Sequence, residues 1–317
     1  MPETHPCIGV VTVTYNCEGV IDAFMESLLA QTQRDFHLFV VDNASGDSTL
    51  SALEKWQDPR ITTIANLSNL GVAEGNNQGI RAAIAAGCQN ILLLNNDTVF
   101  PSNLFSELLK GLEDHQCEMV TPKMFYFDDP KRIWVAGGGF QPWKAFETTH
   151  YGCGELDAGQ FDTPRQITYT PTCCLLVKAG VFSIIGLMDS TYFVYFDDVD
   201  FMFRAMKAGI RTYYVPSGLL YHKIGYSTGG QESSFALTYC SRNNAYFLCK
   251  HFSLLARLPL LLYFPVRTLW RLLRGKDSMS TFQIKMKSYA QGLTVPTGSG
   301  MIPGESSSGS TGKAARV

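Results

Sequence analysis

The nine cysteines of this 317-residue chain include no Cys-x-x-Cys pair, which excludes a zinc knuckle and a dithiol redox site. Charge of one sign is not in excess either: 26 Lys and Arg against 28 Asp and Glu leave a formal −2. No global basic field exists, so nucleic acid is not expected as a partner. The low hydrophobicity and high net charge of a disordered chain are absent too, with 45% hydrophobic and 17% charged residues. Met1-Pro2-Glu3-Thr4-His5-Pro6 has neither the basic nor the apolar region of a signal peptide. The first apolar run, Ile8 to Val13, is far shorter than the ~20 residues of a membrane span. An odd cysteine count without such a signal fits a reducing compartment, so buried free thiols and a cytoplasmic location are expected. The Walker A, Gly-x-Gly-x-x-Gly and Gly-x-Ser-x-Gly motifs are missing, which removes the commonest phosphate-loop, dinucleotide and hydrolase readings.

What is present is alternation. Apolar runs at Ile8–Thr14, His37–Asp42, Ile61–Ala65 and Asn90–Leu94 read as strands, and helical spacing falls between them at Val20–Leu29, Ser48–Trp56 and Gly79–Gly87. Strands alternating with helices imply βαβ units and a mostly parallel central sheet flanked by helices. Ligands bind such sheets beyond the carboxyl ends of the strands, so the polar residues after Val13, Val41 and Leu94 converge on one candidate site. The glycine-rich Asn69–Gly79 segment carries Gly-x-x-x-Gly-x-x-x-Gly spacing, which is also the spacing of close helix packing.

Three polar groups carry chemistry. Leu92–Leu94 leads into Asn95-Asn96-Asp97, and a carboxylate at a strand end can hold a hard cation; the competing reading is a turn or cap aspartate. Asp197-Asp198-Val199-Asp200 places like charges side by side, which raises the pKa of at least one and suits a general base. Acids also favour a helix start, and Asp200 stands four residues before Arg204. That structural reading applies to Asp200 and extends to Asp197, leaving Asp198 as the candidate base. His222 ends another apolar stretch and is a candidate second ligand for the cation, although an isolated histidine is more often structural.

Past residue 232 the carboxylates stop. Between Glu232 and Asp277 there is none, against seven Lys or Arg. Arg267, Arg271 and Arg274 follow i, i+4, i+7 spacing, opposite Val266, Leu269, Trp270 and Leu273. Two readings fit: a basic amphipathic segment lying on an anionic membrane, with Pro259 and Pro265 interrupting any span, or a helix docked on the domain with a solvated basic face. The residues from Gly292 onward are mostly Gly, Ser, Thr and Pro and read as a disordered tail.

In combination these segments resemble the family 2 glycosyltransferases of the GT-A fold, and within them the rhamnosyltransferase-like enzymes of bacterial surface polysaccharide assembly. The likeness rests on Val11–Asn16, Val40–Ser45, Asn69–Gly79, Leu94–Thr98 and Phe196–Asp200 in that order, with Ile133–Gly138, Gly186–Asp189, His222 and Arg242-Asn243 in support. It implies a 1–232 catalytic domain, divided into a nucleotide-sugar half (1–123) and an acceptor half (124–232). A basic helical segment (233–291) and the tail (292–317) would follow. Carried across, Thr14, Asn16, Asp42, Asn77, Asn95 and Asn96 would contact the nucleotide sugar. Asp97 and His222 would bind a divalent metal, Mn²⁺ or Mg²⁺, with Asn95 standing where relatives have a first aspartate. Asp198 would be the base, and Trp134 and Asp197 would line the acceptor pocket. Thr172-Cys173-Cys174 departs from the small pair usual at the pocket floor. The implied reaction is inverting transfer of rhamnose or another hexose from a dTDP- or UDP-sugar to a saccharide or lipid-linked saccharide, at the cytoplasmic face of the plasma membrane. A sugar nucleotidyltransferase would need a basic glycine-rich loop after the first strand, where Thr14–Glu18 is not basic. A non-catalytic carbohydrate-binding relative would be expected to lose Asp97 or Asp198.

Overall fold

The computed structural model describes residues 8–223 and 233–297. Its first half follows the expected alternation: β1 (Ile8–Thr14), α1 (Glu18–Leu29), β2 (Phe36–Asp42), α2 (Thr49–Glu54), β3 (Ile61–Ala65), α3 (Gly71–Ala85) and β4 (Asn90–Leu94). Then come β5 (Thr98–Val99), α4 (Leu104–Asp114), β6 (Met119–Tyr126), β7 (Ile133–Val135), β8 (Gly138–Gln141), β9 (Glu147–His150) and β10 (Arg165–Ile167). The remaining elements are β11 (Cys174–Lys178), α5 (Val181–Ile185), α6 (Asp197–Lys207), β12 (Thr212–His222), α7 (Ser234–His251), α8 (Leu254–Leu273) and α9 (Met279–Leu293).

The main sheet runs β10-β12-β6-β11-β4-β1-β2-β3, with β5 beside β12 and β7 beside β6. Parallel pairing is confined to β3-β2-β1-β4 and to β6–β12. Between these two parts β11 runs antiparallel to both β4 and β6, so the sheet is more mixed than the βαβ pattern implies. Strands buried on both faces explain the unbroken apolar runs. On β1, Ile8 and Val10 join Phe24, Leu28 and Leu108 on one face, while Val11 joins Ala73, Ile80 and Phe201 on the other.

Close packing explains the glycine-rich segment. A Cβ on Gly75 would lie 2.8 Å from Val13, and one on Gly79 would strike Val11, so these glycines let α3 lie directly on β1. Gly71 combines φ +83° with a Cβ position 2.5 Å from the carbonyl oxygen of Phe193, a site that no other residue fills without strain.

Helix α7, expected to open a separate segment, packs into the core of the sheet: Tyr246, Phe247 and Leu248 belong to the same core as Val11 and Phe201. Loss of carboxylates suggested a new unit, but several of the cations reach acids elsewhere. Lys250 pairs with Asp189 and Asp200, both at 2.7 Å, Arg267 pairs with Glu147, and Arg271 pairs with Asp277 at 2.8 Å. Pro259 and Pro265 lie inside α8 without ending it. Helix α9 continues to Leu293 with Gly292 buried against α7; the rest of the expected tail, from residue 298, lies outside the described residues. No described cysteine is in a disulfide, and Cys153, expected to be buried, is exposed.

Candidate functional site

The ends of β1, β2 and β4 meet as expected. Asp42 accepts from the Thr14 hydroxyl at 2.8 Å and from the Ser45 hydroxyl and amide at 2.6 and 2.9 Å. Thr14 and Asp42 are both fully buried, so their observed work is to pin the two strand ends together. Asn16, exposed and at φ 50°, accepts from the Gly46 amide at 2.8 Å and closes the same turn. From β4, Asn96 donates to the Val13 carbonyl at 2.5 Å, whereas Asn95 is exposed. Asn77 departs from the expected set. Its amide donates to the Met188 carbonyl at 2.8 Å and accepts from the Met188 amide at 2.9 Å. Both ends of this buried side chain are engaged in stitching α3 to the segment before α6.

Asp97 and His222, 125 residues apart in sequence, come together with Oδ1 and Nε2 at 3.0 Å. Both are largely buried. Strand β12 supplies the histidine because His222 pairs in register with Thr98, next to Asp97. Burial alone would depress the imidazole, but the Cys173 thiol and Asp97 beside it push it up to about 10, so a cation taken up here would displace the ring proton, since only the deprotonated nitrogen is a donor. Nδ1 of His222 is buried and has no hydrogen-bond partner among the described residues. A carboxylate oxygen and an imidazole nitrogen are donors that Mn²⁺ accepts, whereas Mg²⁺ prefers oxygen alone. The described residues hold no cluster of three or more metal-ligating side chains. Two protein donors therefore leave most coordination positions to a ligand.

Asp198 stands at the start of α6 in a different environment. It is partly accessible while its neighbour Asp197 is buried. The Tyr169 hydroxyl donates to Asp198 Oδ2 at 2.8 Å and the Val199 amide to Oδ1 at 2.7 Å. These two donors fix the carboxylate. Burial raises the pKa of Asp198, and burial together with the charge of Asp198 raises that of Asp197 to about 8. Because the charge of Asp198 is among the causes that raise Asp197, the accessible Asp198 is the first of the pair to ionise. Asp200 takes the structural role expected of it. It pairs with Arg204 at 2.8 Å and with His251 and Lys250 at 2.7 Å, and its pKa falls well below the usual carboxylate range, since those partners outweigh its burial.

An aromatic wall joins the two groups. The ring of Trp134 lies 4.4 Å from that of His222 and 5.9 Å from His150, and His150 stacks on Tyr169 at 5.6 Å. Tyr169 then reaches Asp198. The sequence offers Trp134 but gives no sign of His150 or Tyr169, which stand in loop-rich sequence whose pairing is long-range. Equally hidden is the support beneath α6. Phe193, Tyr195 and Phe196 all have positive φ, at 63°, 60° and 68°, which strains non-glycine residues. The two N–H groups of the buried Asn243 Nδ2 are shared among the carbonyls of Tyr192, Val194 and Tyr195, at 3.0, 2.9 and 2.9 Å. Asn243 thus holds the turn that delivers the two aspartates.

Residues 9–181 match the protein family described as Glycosyl transferase family 2. The chain is 26% identical over 253 residues to an N-acetylglucosaminyl-diphospho-decaprenol L-rhamnosyltransferase of Mycobacterium tuberculosis, covering 72% of this chain and 79% of that one. It is 23% identical over 219 residues to the dTDP-rhamnosyl transferase RfbF of Shigella flexneri, covering 69% of each. In fold it is similar to GalNAc-T7, whose crystal structure holds UDP, GalNAc and Mn²⁺. There the TM-score is 0.62 at 14% identity, over 92% of this chain and 56% of that one.

Proposed function

Because this chain belongs to glycosyl transferase family 2, we propose that it moves a hexose, rhamnose first among the candidates, from a dTDP- or UDP-sugar to a saccharide hydroxyl with inversion. The observation that carries the catalytic reading is the pair of environments at the start of α6. Asp197 is buried, whereas Asp198 is accessible and clamped by Tyr169 and the Val199 amide. Asp198 takes the proton of the acceptor hydroxyl as that oxygen forms its bond to the anomeric carbon. The bond from that carbon to the diphosphate breaks on the opposite face, and the nucleoside diphosphate leaves with the electron pair. One base and one displacement invert the configuration.

Asp97 and His222 would hold a divalent cation, whose chemistry there is to offset the negative charge of the departing diphosphate. Their oxygen–nitrogen donor set favours Mn²⁺ over Mg²⁺. Asn95 and Asn16, the exposed members of the expected nucleotide set, would meet the donor. Trp134, beside His222, supplies an apolar face on the acceptor side. The acceptor is proposed to be lipid-linked, as the name of the mycobacterial relative states for that protein. No described helix is long and apolar enough to cross a membrane, so association with the cytoplasmic face of the plasma membrane would be peripheral.

The test is turnover across a panel of dTDP-, UDP- and GDP-sugars, read as free nucleoside diphosphate with and without Mn²⁺. Release from one or a few donors, enhanced by the cation, is expected. Release from none would overturn the reading, and release undiminished by chelation would remove the cation from it.

A further inference from the structure

The helix α8 turns the wrong side to solvent for a soluble protein. Leu255, Leu258, Leu262, Val266, Leu269 and Leu273 follow spacings of three and four, which keep them on one face of the helix. That face points outward: with Trp270, these side chains are between 47% and 83% exposed. The opposite face is the docked one. Leu260, Leu261 and Tyr263 pack against the main core, Thr268 is buried, and Phe264 stacks on Tyr289 of α9 at 4.6 Å. This reverses the docked reading of the sequence, in which the apolar stripe would be covered and the arginines solvated. The arginines are instead largely engaged with the protein, through Arg267 to Glu147 and Arg271 to Asp277.

A contiguous apolar stripe along a 20-residue helix, about 30 Å long, exceeds what monomeric soluble proteins commonly expose. Its C-terminal end has a distinct chemistry. Trp270 is half-exposed, with Arg274 over its ring at 4.6 Å and Lys276 at 5.7 Å. An amphipathic aromatic flanked by long cations matches the boundary between acyl chains and anionic headgroups. No carboxylate occurs from Ser233 to Lys276 to repel such a surface. The same helix grips the acceptor wall: the Tyr263 hydroxyl donates to Glu147 at 3.4 Å and Arg267 pairs with that same side chain. Glu147 opens β9, whose last residue, His150, stacks on the Tyr169 that clamps Asp198.

We propose that the exposed apolar face of α8 docks flat on an anionic lipid bilayer, insertion of the stripe supplying the binding and Arg274 and Lys276 the headgroup preference. The corollary, that the acceptor wall is thereby held beside a bilayer-borne acceptor, rests on the glycosyltransferase reading; the docking itself does not.

Flotation with vesicles of phosphatidylcholine, alone or mixed with phosphatidylglycerol, tests it on the full chain. Wild type should float with the mixed vesicles. The triple variant Leu258→Ser, Leu262→Ser, Leu269→Ser should lose at least tenfold in bound fraction, at unchanged Tm and unchanged nucleoside diphosphate release in the absence of vesicles. Arg274→Glu with Lys276→Glu should weaken binding to the mixed vesicles only. Absence of wild-type binding to either vesicle would overturn the proposal, as would undiminished flotation of the triple variant. Sedimentation supplies a further check: a wild-type dimer that the triple variant converts to monomer would make the stripe a self-interface and contradict docking. Flotation without turnover on any donor would uphold docking while refuting the catalytic reading.

Discussion

At the scale of single residues, the adjacent aspartates differ because one of them is out of water. Asp197 is buried and holds its proton to about pH 8, well above the value near 3.9 of an unfolded chain. A raised folded pKa stabilises the fold fully only below the unfolded value, and that contribution is lost as pH rises through the folded one. Asp197→Asn, which cannot ionise, should therefore gain Tm relative to wild type progressively between about pH 4 and pH 8, and no further above that. A difference independent of pH would show that Asp197 does not titrate in this range. Asp198 is also raised by burial, so the acidic limb of the kcat profile should lie above the ordinary carboxylate range. For the cation, Asp97→Ala should abolish Mn²⁺-dependent donor binding in a folded protein; unaltered affinity by calorimetry would move the cation elsewhere. Asp97, Asp198 and His222 are legible in the sequence because each stands at the end of an apolar run or the start of a helix. Tyr169 and His150 are not, since nothing local marks a loop tyrosine that will meet a carboxylate 29 residues on.

Among elements, α6 owes its aim to a turn that its own residues disfavour. Three left-handed non-glycine residues in four cost about 1–3 kcal/mol each and persist only where the surroundings impose them. Asn243 of α7 is that imposition, donating to three carbonyls of the turn. Asn243→Ala should lower kcat by about tenfold or more with donor KM little changed, alongside a Tm loss from the unpaired buried carbonyls, which cost about 1–3 kcal/mol. An Asn243→Ala enzyme that loses Tm but keeps full kcat would confine Asn243 to stability. Glycine would have announced such a turn in the sequence; Phe193, Tyr195 and Phe196 do not. Likewise the sequence shows that α8 is amphipathic, but which face meets the protein depends on acids as distant as Glu147. The α3 glycines are the opposite case, since their spacing alone indicates the close packing found against Val11 and Val13.

For the molecule as a whole, the sheet puts the proposed donor and acceptor sites on opposite sides of β11. Strands β3-β2-β1-β4 carry the proposed nucleotide contacts, β6 and β12 the proposed acceptor wall and His222, and α7 packs beside the proposed base. The parallel half is readable from alternating runs; the antiparallel insertion of β11 is not, because it follows from long-range pairing. The proposed reaction unites the halves in a single displacement, with Asp198 as the proton acceptor. The most direct measurement is nucleoside diphosphate release by wild type and Asp198→Asn on the active donor, paired with donor affinity for both proteins. The substitution is nearly isosteric and still accepts from Tyr169, so donor affinity should be unchanged while kcat falls by ~10²-fold or more. Near-normal turnover by Asp198→Asn would contradict the assignment of the base, and loss of donor binding would make Asp198 part of the nucleotide site instead.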